Sequence, residues 1–129
     1  MSISRKDRKG TQLERLLEGM LLAAVRRGYA GANVAQVITH AGVSRPTFYE
    51  HFEDRDDCFL AVHRDISEQL LGHVREAVSS EPPERAVQAG VGAIFARAQV
   101  RPERARFLVN ETLAGGHRAL DARDRLIGG

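Results

Sequence analysis

The sequence predicts an all-α protein: three N-terminal helices joined by a long fourth helix to an incomplete helical bundle. Three observations predict it. Apolar residues recur at three- and four-residue spacing, and no segment alternates apolar and polar residues for long. Capping residues head the first four apolar stripes. Glycine or proline closes most of them.

The first helix is expected to start near Thr11, where Thr11 and Glu14 fit a capping box. Leu13, Leu16, Leu17, Met20, Leu21 and Ala24 follow on one face, and Gly28 ends it. The second starts at Asn33, an N-cap, and carries Val34, Val37, Ile38 and Ala41; Gly42 then suits a left-handed C′ position. The third starts at Ser44, with Pro46 tolerated in its first turn. Val43 and Phe48 hold the two positions of a hydrophobic staple, and Phe48 and Phe52 share a face. Asp54 caps the fourth helix, whose stripe runs Phe59, Leu60, His63, Ile66, Leu70, Val74 and Ala77. Ser79 to Pro83 is a linker. Beyond it, Ala86, Val87, Ile94, Phe95 and Ala98 mark one helix, loosened by Gly90 and Gly92. Arg101-Pro102 opens another with Ala105, Leu108 and Leu113, and a last one follows from His117 with Leu120, Leu126 and Ile127.

Composition narrows the class. Of 129 residues, 43% are hydrophobic and 28% charged, a globular balance rather than a disordered one. Cys58 is the single cysteine, which excludes an internal disulfide and a Cys-rich zinc site. No apolar run reaches the ~18 residues of a membrane span, and no apolar stretch follows the basic N-terminus as a secretory signal requires. A cytoplasmic protein with no membrane partner and no cofactor is expected. The net charge of +2 hides an asymmetry: residues 1–55 carry a net +3 and the remainder a net −1. Arg5, Lys6, Arg8 and Lys9 concentrate that excess in one arm, which fits a polyanion contact and a solvated terminus equally well.

The informative stretch is 33–55, NVAQVITHAGVSRPTFYEHFEDR. A short helix, a tight turn headed by Gly42 and a second short helix form a helix-turn-helix layout over about 33–52. With Phe48 and Phe52 facing inward, Arg45, Pro46, Thr47, Tyr49 and His51 point away. Arg45 can fork onto a guanine, and Thr47 can bond a base or phosphate. Pro46 can offer apolar contact to a thymine methyl, and Ser44, Tyr49 and His51 can donate to phosphate oxygens. Arg55 adds a cation beside helix-terminal amides, which reads as a phosphate site. Asn33, at the head of the motif, completes the candidate DNA-binding set.

Residues 9–69 resemble the DNA-binding domain of TetR-family transcriptional regulators. RRGYAGANV (26–34), VITHAGVSRPTFYEHFEDRDDCFLAV (37–62) and the long fourth helix carry the resemblance. It implies a recognition helix at roughly 45–51, with Tyr49 and His51 on the DNA backbone. Arg55 stands where the family usually has Lys, Thr39 where it usually has Ala, and Phe48 where Leu is common. Thr39 can bond back to its own helix. Residues 70–129 then correspond to the start of a helical domain that binds an effector and dimerises, with the dimer helices falling beyond this sequence. The resemblance implies a repressor released by a small molecule, acting on a palindromic operator as a homodimer if those helices are present. Ligand entry would tilt the shared fourth helix.

Other readings weigh less. His40, His51, His63, His73 and His117 form no zinc-type i, i+4 pair. Cys58 with His51 or His63 is the one nucleophile candidate, and it lacks an orienting carboxylate. Phe95, Phe107 and Leu108 read as core before they read as pocket. A helical interaction module that has lost DNA binding is the alternative function.

Overall fold

The computed structural model describes residues 5–111, with side chains from residue 10 onward. Every element among them is helical: α1 (Arg5–Gly31), α2 (Val34–Ala41), α3 (Arg45–His51), α4 (Arg55–Ser79), α5 (Pro83–Val100) and a further helix, α6, covering 102–111. The expected helix from His117, with Leu120, Leu126 and Ile127, and the end of the preceding one at Leu113 lie outside the described residues.

The first helix starts earlier than the Thr11 capping box suggests. Arg and Lys are good helix formers, so residues 5–10 continue the helix upstream and Thr11 is interior. Gly28 breaks it as expected, with φ 74° and ψ 174°, and one further turn reaches Gly31. The next caps follow the sequence. Asn33 accepts from the Gln36 amide at 2.9 Å, and Gly42 takes the left-handed conformation at φ 67°. Ser44 accepts from the Thr47 amide at 3.2 Å, and Asp54 from the Asp57 amide at 2.8 Å.

These helices enclose a core in which Leu16, Met20, Val37, Phe48, Cys58 and Val62 have almost no solvent exposure. Its tightest crossing is between α1 and α2. A Cβ on Gly19 would lie 2.7 Å from the Val37 carbonyl oxygen, so only hydrogen fits there. Val43 is partly buried and packs against this core.

The buried face of α4 is rotated from the expected stripe. Cys58, Phe59, Val62 and Ile66 are buried, whereas Leu60 is 59% exposed. Phe107 of α6 reaches the same core, its ring 5.2 Å from Phe59 and 6.3 Å from His63. The face of α5 also differs. Val87 is 77% exposed and Phe95 67% exposed, while Gly90 is buried against Val74 and Val78 of α4. Gly90 is therefore a close-packing point, not a loosening one.

Candidate nucleic-acid interface

The α2–turn–α3 unit is held from both sides. Phe48 and Phe52, four residues apart on α3, are buried with ring centroids 5.6 Å apart. On the far side, Arg15 of α1 donates from Nη2 to the Gly42 carbonyl at 3.0 Å, tying the turn to the first helix. No sequence signal marks that contact across 27 residues. Within the turn, the Ser44 and Thr47 hydroxyls lie 2.9 Å apart and share a hydrogen bond.

This bracing leaves the first turn of α3 facing outward. Ser44, Arg45 and Pro46 are exposed on the first turn of α3, with Thr47 half-buried behind them. Arg45 makes no hydrogen bond or ion pair with any described residue. Tyr49 is half exposed, and its ring stands edge-on to Phe48 at 5.1 Å, which orients the phenol outward from a buried support. Four residues of the expected set thus share a solvent-facing patch: Ser44, Arg45, Pro46 and Tyr49, with Thr47 at its edge.

Three expected contacts are otherwise engaged. Asn33 spends its side-chain oxygen on the α2 cap. His51 is half-buried, with Nε2 3.4 Å from Gln12 Oε1 on α1. Arg55 departs furthest from its sequence reading. Its Nη1 donates to the carbonyls of Tyr29 and Ala32, its Nη2 to Asp56 at 3.3 Å, and its guanidinium lies 4.4 Å from the Tyr29 ring centroid. The Tyr29 hydroxyl donates to the same Asp56 carboxylate. In this arrangement Arg55 clamps the foot of α4 to the α1–α2 connection, and few of its donors remain for a phosphate. Thr39 donates to the Ala35 carbonyl at 2.7 Å, the back-bond its position suggests.

Cys58 is buried and free. Burial, reinforced by the Asp57 charge, pushes its thiol up from 9.0 to about 12. Among the described residues no group of three or more His, Cys, Asp or Glu is placed to hold a metal ion.

Residues 21–62, which contain the whole braced unit, match the family model of bacterial regulatory proteins, tetR family. Over that stretch the chain is similar to the TetR family. Relatives bear this out. The HTH-type transcriptional activator FasR of Mycolicibacterium smegmatis is 34% identical over 96 residues, which are 69% of this chain and 44% of that protein. The HTH-type transcriptional repressor AcnR of Corynebacterium glutamicum is 30% identical over 76 residues, 59% of this chain and 40% of that one. The HTH-type transcriptional regulator BetI of Escherichia coli is 34% identical over 88 residues, 66% and 45% of the two chains. The chain spans less than half the length of these relatives. Its all-α fold matches the crystal structure of a TetR family transcription regulator from Marinobacter aquaeolei, with a TM-score of 0.74 at 20% identity, covering 93% of this chain and 72% of that one.

Proposed function

We propose that this chain is the DNA-reading part of a sequence-specific transcriptional regulator. The observation that carries the proposal is the outward patch of Ser44, Arg45, Pro46 and Tyr49 on a helix anchored from behind by Phe48 and Phe52. A rigid support and an uncommitted guanidinium are what reading a base edge requires. Arg45 takes the base-reading role; Ser44, Thr47 and Tyr49 position the duplex through its phosphates, and Pro46 supplies apolar contact. His51 and Asn33 set the geometry of the unit. In this proposal residues 9–69 bind DNA, and residues 70–129 begin the domain that takes an effector and joins two copies.

Two copies would read the halves of a palindromic operator about one helical turn, ~34 Å, apart. Effector binding against α4 would change that spacing and release the DNA, the behaviour of a repressor acting in the cytoplasm. No helix among the described residues is long and apolar enough to cross a membrane. The relatives named above include both an activator and a repressor.

The test is a gel shift on DNA selected from random sequence, at two salt concentrations. Arg45→Ala should cost roughly 1–3 kcal/mol and relax preference at one base position. Tyr49→Phe should weaken binding evenly across sequences and leave the salt slope unchanged, because the phenol carries no charge. If neither substitution alters binding, the regulator reading fails and a helical interaction module takes its place.

A further inference from the structure

The basic start of α1 has no part in the reading patch on α3. Arg5, Lys6, Asp7, Arg8 and Lys9 continue α1 upstream of the turns that pack on the core. Both lysines of the chain are among them. Arg5, Arg8 and Lys9 stand at i, i+3 and i+4, with Gln12 at i+7, so these four positions share one face of α1. Lys6 flanks that face and Asp7 falls on the opposite side. The same face braces the helix-turn-helix, and its contacts run in order along the helix. Gly19 crosses α2 at Val37, Arg15 holds the turn at Gly42, and Gln12 lies 3.4 Å from His51 in the last turn of α3. The next positions towards the N-terminus carry the face beyond α3, by about 10 Å between Gln12 and Arg5 at ~1.5 Å per residue.

Local electrostatics disfavour this arrangement. Cations at a helix N-terminus oppose the macrodipole. Arg5 and Arg8, Lys6 and Lys9, and Arg5 and Lys9 are like charges three or four residues apart, which repel along a helix. Such conflict between a sequence and its own local structure is expected where residues serve a partner. We propose that this arm of α1 is a second contact to DNA: it lies along the phosphate backbone beside the base pairs that α3 reads, and it sets affinity rather than sequence preference. One strand carries a phosphate per ~3.4 Å of axis, and the arm spans about 6 Å from Arg5 to Lys9, so it meets about two or three phosphates. Lysine suits that role, because an ammonium is a point charge that follows a phosphate without a fixed geometry. The position of the duplex rests on the DNA-reading role of α3 stated above; the arm's attraction to a polyanion does not.

Fluorescence anisotropy on the full chain, with a labelled duplex selected from random sequence and a series of salt concentrations, tests the proposal. The variant Arg5→Gln/Lys6→Gln/Arg8→Gln/Lys9→Gln keeps good helix formers. It should flatten the slope of log affinity against log salt by about two units and weaken binding roughly tenfold or more at ~0.1 M salt, with base preference unchanged. The variant Arg75→Gln/Arg85→Gln/Arg101→Gln/Arg106→Gln removes the same charge from exposed positions further along the chain and should leave the slope as it is. A measurement on the wild-type chain stands beside these: bound DNA should slow the acetylation of Lys6 and Lys9 by acetic anhydride, read by mass spectrometry. A slope unchanged in the arm variant, a slope that falls equally in both variants, or lysines labelled as fast with DNA as without it would overturn the proposal. So would arm-dependent binding to phosphatidylserine vesicles with no arm effect on DNA, which assigns the charge to a lipid surface. The outcomes separate the two readings. An arm-dependent slope with Arg45→Ala leaving base preference untouched refutes sequence reading and leaves the arm contact standing. Base preference lost in Arg45→Ala with an arm-independent slope refutes the arm alone.

Discussion

Gly19 is where the packing can be tested most sharply, because two effects of opposite sign meet there. In an exposed helix interior, Gly→Ala stabilises by roughly 0.5–1 kcal/mol through reduced unfolded-state freedom and better helix propensity. At Gly19 the new Cβ would lie 2.7 Å from the Val37 carbonyl oxygen, 3.3 Å from the Ala41 amide nitrogen and 3.4 Å from the Ala41 Cβ. The nearest of these is backbone, so a rotamer change cannot relieve it. The second helix would have to retreat by about half an ångström, and overpacking of that kind costs about 1–3 kcal/mol. The clash should win, leaving Gly19→Ala about 1–2 kcal/mol less stable than wild type. Gly72 on α4 supplies the internal control, since an added Cβ there meets nothing within 4 Å. Gly72→Ala should gain up to about 1 kcal/mol. Urea unfolding followed by circular dichroism would place the two midpoints on opposite sides of wild type, about 1–2 M apart for a typical slope. A Gly19→Ala protein that unfolds at the same or higher urea than wild type would show that α1 and α2 do not cross this closely.

Other outcomes follow from single residues. Cys58 should resist iodoacetamide at pH 8 in the folded protein and react fully in urea; because its folded pKa of about 12 exceeds the ordinary 9.0, its contribution to stability is intact below pH 9 and is lost as pH rises toward 12. Rapid labelling of the native protein would refute its burial. Arg55→Ala should lower stability by about 1–2 kcal/mol by removing the clamp on the Tyr29 and Ala32 carbonyls, yet leave the salt slope of DNA binding unchanged. A slope flatter by about one unit would restore it to the phosphate contacts. Gly42→Ala should cost about 1–2 kcal/mol, seen as a melting temperature several degrees lower, because φ 67° disfavours any Cβ.

What the sequence revealed was local. Asn33, Ser44 and Asp54 cap because their short oxygens reach an amide within three residues, and such reach depends on nothing distant. Gly42 and Gly28 announced positive φ for the same reason. Thr11 misled because a capping box also needs an extended N-cap backbone, and the basic residues before it prefer to stay helical. The buried face of α4 is not readable from spacing alone: Cys58 and Leu60, two residues apart, both neighbour Phe59 in an apolar run, and only the neighbouring helices choose between them. The site was legible in part. Arg45 and Pro46 follow from being opposite two phenylalanines, whereas the Arg15 bond to Gly42 and the Arg55 clamp join residues 27 and 26 apart, with no periodicity to betray them.

The clamp at the foot of α4 has a mechanical consequence. Arg55 joins the first turn of a 25-residue helix to two backbone carbonyls of the α1–α2 connection, so that end has no soft hinge. A rod of that length spans about 37 Å at ~1.5 Å per residue. Rotating it by only about 5° displaces one end by about 3 Å relative to the other. Whatever pushes on α4 beside α5 therefore works through a stiff rod whose foot is tied to the α1–α2 connection, and a small tilt at one end becomes a shift of a few ångströms at the other.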